Sequence, residues 1–278
     1  MKQLDYRQTA EEKRSIVMDV FPILYKRFDN LSLRSERAAK KCNNYPYYAQ
    51  METTLQDSGK WIIFAVFMNK PTQSRGIFLQ FHAFQPYEIT NAKNPKNNGI
   101  GFFYITAHGA QLDVQISEFP PHLINRMIER LPEHHILSMN VSQLCKFILK
   151  DNLQGSYTII RTNKTMKCEN QDVPTTVTST QHGQFLGILP LENYTCNLTF
   201  ISNKEMHLSQ HAINSFSKTL SIHASDYKDM VGGAVKPEVI EEVLSELGCD
   251  EMMDEAQKLL ADETRSYFVS KKMLRHTI

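Results

Sequence analysis

One short segment, PHLINRMIERL at 121–131, places four titratable side chains on the same side of a predicted helix. At about 100° per residue these side chains fall within about 100° of one another, opposite the apolar residues of the segment. An imidazole moves protons near neutral pH, and guanidinium groups hold phosphate and stabilise charge developing on it. The pattern predicts acid/base chemistry on a phosphate-containing substrate; the alternative is an ordinary ion pair on a solvated helix face. The four side chains are His122, Arg126, Glu129 and Arg130.

The string H-x-x-x-R-M-x-E-R, which begins at His122 and includes Met127, resembles a known helix signature. The signature, HAxxRMxER, is that of small uncharacterised domains related to the barnase, EndoU, colicin and RelE group of RNase toxins. The resemblance implies helices followed by a curved antiparallel sheet, on which RNA is cleaved without a metal through its own 2′-hydroxyl. Segment 121–202 has a similar order of elements: the signature helix, a second helix, then strands carrying Tyr157, Arg161, His182 and Thr199.

The resemblance also implies roles for individual side chains. One histidine acts as acid or base, the glutamate orients it or replaces it as base, and the arginines clamp phosphate. The implied function is a toxin-like endoribonuclease with RNA as substrate, a cognate inhibitor protein as partner and no cofactor. The residues are His122, Glu129 and His182 for catalysis, and Arg126, Arg130 and Thr199 for substrate binding.

Two other function classes fit the sequence. In a non-catalytic interaction protein the signature helix only packs, and the aromatic strands or the C-terminal helices form the partner surface. In a metal-dependent hydrolase, His207 and His211 bind a metal from one helix face, although HExxH and an obvious third ligand are absent from the sequence. The phosphate-loop, dinucleotide-binding and nucleophile-elbow motifs are absent as well.

Hydrophobic periodicity places these residues in an α+β fold. Residues 1–52 are predicted to form a helical arm, with a kink or restart at Pro22 and a short helix capped by Ser32. That short helix is basic, and its cations either contact phosphate or form a solvated face. The cations are Arg34, Arg37, Lys40 and Lys41.

Residues 53–202 are predicted to form an antiparallel α+β core. Four aromatic and β-branched segments between 60 and 116 predict strands, and two helices follow, the second capped by Asn140. Further strand-like segments follow up to 202, with a long loop from Lys164 to Thr176 among them. Residues 203–278 are predicted to be helical, with a hinge at VGGAVKP.

The bulk composition narrows the class of protein further. Hydrophobic residues make up 41% of the 278 residues, which favours a folded chain with a substantial core. The net charge of +1 implies that any nucleic-acid site is a local patch. Five scattered cysteines and the lack of a signal-peptide pattern favour a reducing, cytoplasmic location. The longest apolar run, Trp61–Met68, is far shorter than the ~20 residues that span a bilayer.

Overall fold

The chain forms two compact units, Met1–Pro121 and His122–Ile278. The computed structural model describes residues 4–56, 58–71, 79–90, 98–108, 113–154, 159–168 and 171–206. Over these ranges helices precede antiparallel strands in both units, which confirms the predicted α+β class. The predicted C-terminal helices, the VGGAVKP hinge, His207 and His211 lie outside the described residues.

In the first unit one long helix is followed by five strands. Each strand pairs antiparallel with the next one along the chain, in the order β1-β2-β3-β4-β5. The elements are α1 (Ala10–Lys41), β1 (Tyr47–Leu55), β2 (Gly59–Phe67), β3 (Leu79–Ile89), β4 (Gly99–His108) and β5 (Asp113–Phe119).

In the described part of the second unit two helices are followed by four strands. These strands also form an antiparallel meander, in the order β9-β8-β7-β6. The elements are α2 (Pro121–Arg130), α3 (Val141–Gln154), β6 (Ile159–Cys168), β7 (Gln171–Ser179), β8 (Gly183–Leu191) and β9 (Tyr194–Ser202). Two short 3-10 turns, Pro132–His134 and Ile136–Ser138, connect α2 to α3.

The N-terminal arm is one continuous helix, so the predicted restart at Pro22 and the predicted cap at Ser32 are wrong. Thr9 caps the helix instead: its hydroxyl accepts from the Glu12 backbone N–H at 3.2 Å, and the Glu12 carboxylate accepts from the Thr9 N–H at 2.9 Å. The Ser32 hydroxyl donates to the Asp29 carbonyl within the helix. An unbroken buried face along the helix outweighs the two local signals.

Strand β1 occupies part of the range predicted to be helical. It begins at Tyr47, which pairs with Phe67 of β2. The four predicted strands of this unit are confirmed as β2 to β5. Phe81 and Phe84 of β3 are 2% and 0% exposed, so these rings are not available for stacking on nucleic-acid bases. Phe81 packs edge-on against Phe21 and Phe28 of α1.

The predicted loop from Lys164 to Thr176 is also wrong, because most of it is the β6–β7 hairpin. Thr165 pairs with Pro174, and Cys168 pairs with Gln171. β6 ends the strand order of this unit, and a polar sequence is typical of such a strand. The helix cap at Asn140 is confirmed by its reciprocal hydrogen bonds with Gln143, both 2.9 Å.

Among the described residues, Cys42, Cys145, Cys168 and Cys196 form no disulfide bond. Among the residues that the structure describes, no helix has the length and apolarity that a membrane crossing requires.

Candidate functional site

The polar side of α2 is anchored to strand β9. The His122 Nε2 lies 2.7 Å from the Leu198 carbonyl oxygen and donates to it. Leu198 falls at a register shift between β8 and β9, where a bulge takes a residue out of the regular pairing. Arg130 donates from Nη1 to the Phe200 carbonyl two residues later. These contacts give both side chains a structural role in joining α2 to β9.

The other residues of the predicted RNA site differ widely in exposure. Arg126 and Glu129 form an ion pair of 2.7 Å, with side chains 40% and 60% exposed, which is the solvated pair that the helix spacing allowed. Thr199 is 0% exposed, and its hydroxyl has no hydrogen-bond partner among the described residues. Full burial of Thr199 argues against its predicted contact with a phosphate.

His182 lies in a different setting, held by a buried carboxylate from α3. Its Nδ1 lies 2.7 Å from the Asp151 Oδ1, and the Asp151 side chain is 0% exposed. The His182 backbone N–H donates to the same oxygen at 2.9 Å. Because an ionised carboxylate only accepts, the proton resides on Nδ1 and the Nε2 lone pair remains available. The His182 side chain is 22% exposed, so solvent reaches the ring.

The turn between β7 and β8 fixes the position of His182 from both sides. The Gln181 N–H donates to the Asp151 carbonyl at 3.0 Å. Asn203, just after β9, donates from its backbone N–H to the His182 carbonyl and from its side chain to the Gln181 carbonyl, both at 2.9 Å. Gly183 closes the turn where a Cβ would approach the Ile201 carbonyl to 2.1 Å. His182 is therefore set on a rigid turn.

Two rings meet the imidazole of His182. The His134 ring centre lies 4.2 Å away in an edge-on arrangement, and the Phe147 ring lies parallel at 5.7 Å. His134 and Phe147 also contact each other, at 5.4 Å. We refer to His134, Phe147, Asp151 and His182 as the imidazole cluster.

Charged side chains border the imidazole cluster along the loop after β9. Lys204 pairs with Glu133 at 3.0 Å, and Glu205 pairs with the Arg130 Nε at 3.2 Å. The Lys204 side chain is 75% exposed, whereas that of Arg130 is 10% exposed. Because Asn203 of the same loop binds the His182 turn, both cations are tied to the loop that supports the imidazole.

The hydrogen bond from His182 to Asp151 raises the pKa of His182, and the charges of Asp151 and Glu133 add to this effect against the opposing effect of burial. The pKa of Glu133 is lowered, first by its own backbone N–H and then by Lys204. The cluster therefore contains an imidazole suited to exchanging protons near neutral pH, beside an anion that stabilises its charged form.

The sequence analysis names His182 as a candidate and does not name its partners Asp151 and His134. Asp151 follows the buried residues Ile148 and Leu149 of α3. Because a carboxylate is rarely buried without a partner, its position directly after apolar residues is the sequence feature that could have indicated a buried hydrogen bond. Within the described ranges, no three His, Cys, Asp or Glu side chains are grouped as a metal site would require.

The two arginines of α2 are expected to differ in their contribution to stability. Arg126→Ala should lower the free energy of unfolding by at most about 1 kcal/mol, because the ion pair it removes is exposed. Arg130→Ala should lower it by about 1.5–3 kcal/mol, because a charged donor to the Phe200 carbonyl is lost. Urea denaturation followed by circular dichroism measures both values. Equal losses would contradict the anchoring role of Arg130.

Comparison with known proteins adds no relative: no family model, no curated protein and no solved structure matches the chain.

Proposed function

We propose that the chain is a metal-independent endoribonuclease in which His182 is the general base. The observation that carries the proposal is the partly exposed imidazole whose Nδ1 is bound to a fully buried carboxylate. The H-x-x-x-R-M-x-E-R resemblance of α2 to RNase-toxin-related domains supports the same class of reaction. His182 is thereby retained from the predicted site, with Asp151 as its positioning residue.

The tautomer of His182 fits it for proton abstraction. With its proton on Nδ1 and Asp151 accepting it, the ring keeps a basic lone pair on Nε2. In RNA cleavage this nitrogen removes the 2′-hydroxyl proton, the 2′-oxygen bonds to phosphorus, and the bond to the 5′-oxygen breaks. The products are a 2′,3′-cyclic phosphate and a free 5′-hydroxyl.

A substrate that brings its own nucleophile suits this cluster. Among the described residues, the contacts of the His182 ring are with a carboxylate, an imidazole and a phenyl ring, none of which is a hydroxyl or thiol nucleophile. RNA supplies the nucleophile as its 2′-hydroxyl, so that an acid and a base on the protein are sufficient.

The remaining steps fall to neighbouring side chains. His134, in ring contact with His182, is the acid that protonates the leaving 5′-oxygen. Lys204 is the cation that approaches the phosphate, because its side chain is largely exposed and Glu133 holds it beside His134. Arg130 contributes positive charge from its fixed position behind the loop.

Cleavage of a fluorescent oligoribonucleotide in EDTA tests the proposal. The wild type should produce cyclic-phosphate ends, detected by mass spectrometry, and His182→Ala should reduce the rate by about 10²–10⁴-fold. An oligonucleotide of the same sequence with deoxyribose throughout should remain intact, because it lacks the attacking hydroxyl. His135→Asn is the matched control: it removes an exposed imidazole next to the cluster and should leave the rate unchanged.

Two results would rule the proposal out. One is the absence of RNA cleavage by the wild type; the other is equal cleavage by the wild type and His182→Ala, which indicates a contaminating nuclease. In either case the hydrogen bonds of His182 would serve only to attach the β7–β8 turn to α3, as expected for a non-catalytic interaction protein.

A further inference from the structure

The outer side of α1 carries a continuous basic stripe. At about 100° per residue, eight exposed side chains between Ile23 and Lys41 fall within about 120° of one another, opposite the buried face. The stripe is free of acidic residues, since Asp29 and Glu36 project from a neighbouring side of the helix. Its members are Ile23, Lys26, Arg27, Asn30, Leu33, Arg34, Arg37 and Lys41.

Within the described ranges the cations of the stripe are not neutralised by ion pairs. Lys40, just outside the stripe, pairs with Glu36 at 2.6 Å, but no ion pair is formed by the five stripe cations with any residue in the described ranges. The five span about 22 Å, from Lys26 to Lys41, at 1.5 Å per residue. An uncompensated linear array of this kind attracts an extended anionic surface.

Apolar side chains lie among these cations. Leu33 is 70% exposed and Ile23 is 37% exposed.

We infer that the basic stripe of α1 is a docking surface for an acidic amphipathic helix of a partner protein. Carboxylates of such a helix meet the cations, and its apolar side chains cover Ile23 and Leu33. The length of the stripe, about 22 Å, corresponds to four turns of a helix lying along α1. The surface belongs to the first unit and is independent of the chemistry proposed for His182.

The composition of the stripe favours a protein partner over RNA. Single-stranded RNA is bound by cations together with aromatic rings on which bases stack, and the members of the stripe include no aromatic residue. Its exposed apolar groups are aliphatic, and these are covered better by leucine-type side chains than by ribose-phosphate.

Fluorescence anisotropy of the full chain with synthetic probes tests the docking surface. The probe is a labelled 20-residue peptide of glutamate, alanine and leucine, in which the leucines are three or four residues apart and so lie on one face of a helix. A scrambled peptide of the same composition and poly(U) RNA are the comparison probes. Variants Arg34→Glu/Arg37→Glu and Leu33→Ser are compared with Lys70→Glu/Lys167→Glu, which reverses two other exposed charges and changes the net charge equally.

Arg34→Glu/Arg37→Glu should weaken binding of the amphipathic peptide at least about tenfold, and the Lys70→Glu/Lys167→Glu control by less than about twofold. Leu33→Ser should weaken binding of the amphipathic peptide and leave binding of the scrambled peptide unchanged. All these side chains are exposed, so the thermal unfolding of each variant should match the wild type. Equal binding of both peptides, equal effects of both double variants, or tighter binding of poly(U) to the stripe would overturn the inference.

Discussion

Glu118→Ala is expected to lower the free energy of unfolding of the first unit by about 3–5 kcal/mol. The Glu118 carboxylate in β5 accepts from the Lys13 ammonium of α1 at 2.9 Å and from the Tyr87 hydroxyl at 3.2 Å. Both charged side chains of the pair are only 7% exposed. Removing the carboxylate leaves the Lys13 charge buried, and the Phe103 ring at 5.4 Å compensates for little of that loss.

Guanidinium denaturation followed by Trp61 fluorescence measures this loss within the first unit. Trp61 is the single tryptophan of the chain and is fully buried in β2. The matched variant Lys13→Met/Glu118→Leu removes both charges and should recover most of the lost stability, since well-packed apolar side chains often replace a buried ion pair without cost. If the double variant were as unstable as Glu118→Ala, the loss would come from packing and not from removal of the carboxylate charge.

The polar side of α2 shows how much of the structure the sequence alone could predict. Helical spacing correctly placed Leu123, Met127 and Leu131 in the core and the charged residues on the other side. The same spacing could not show that His122 and Arg130 bind backbone carbonyls 76 and 70 residues away. Those acceptors depend on a β-bulge and on the packing of α2 beside β9, neither of which has a local sequence pattern.

The partners of His182 could not be predicted from the sequence, for the same reason. Asp151 is 31 residues from His182, and its full burial depends on how the end of α3 meets the β7–β8 turn. Elsewhere a local pattern gave a wrong prediction: Pro22 predicted a break, but α1 continues through it because the buried face of the helix is unbroken. The polar run after Lys164 predicted a loop, although backbone pairing in an end strand requires no apolar residues.

Asp151→Asn is expected to reduce the proposed RNA cleavage by at least about tenfold, through loss of the charge that stabilises the protonated imidazole. The His182 backbone N–H and Nδ1 both bind Oδ1, so an asparagine carbonyl in that position can accept from both and the turn is retained. The neutral amide, however, does not stabilise the imidazolium that forms when Nε2 takes up the substrate proton. Asp151 is therefore a positioning residue whose effect should appear in the rate and leave the fold intact.

A proton-NMR titration of His182 separates this role from a merely structural one. Loss of the carboxylate should lower the pKa of His182, because Asp151 is the first cause of its upward shift. In any residual activity, the acidic limb of the pH–rate profile should move to lower pH by the same amount. An unchanged pKa in Asp151→Asn would contradict the assigned pairing even if the cleavage rate fell.

The same pairing makes stability depend on pH in a defined direction. The pKa of His182 is raised in the folded state above its unfolded value, near 6.5, so folding binds protons. The stabilisation is complete below about pH 6.5 and is lost as the pH rises through the folded-state pKa. The unfolding free energy of the wild type should therefore exceed that of Asp151→Asn by more at about pH 5.5 than at about pH 8.5. A difference that grew with pH would mean that Asp151 stabilises the neutral ring, and the imidazole would then be unsuited to accept the proton of a 2′-hydroxyl.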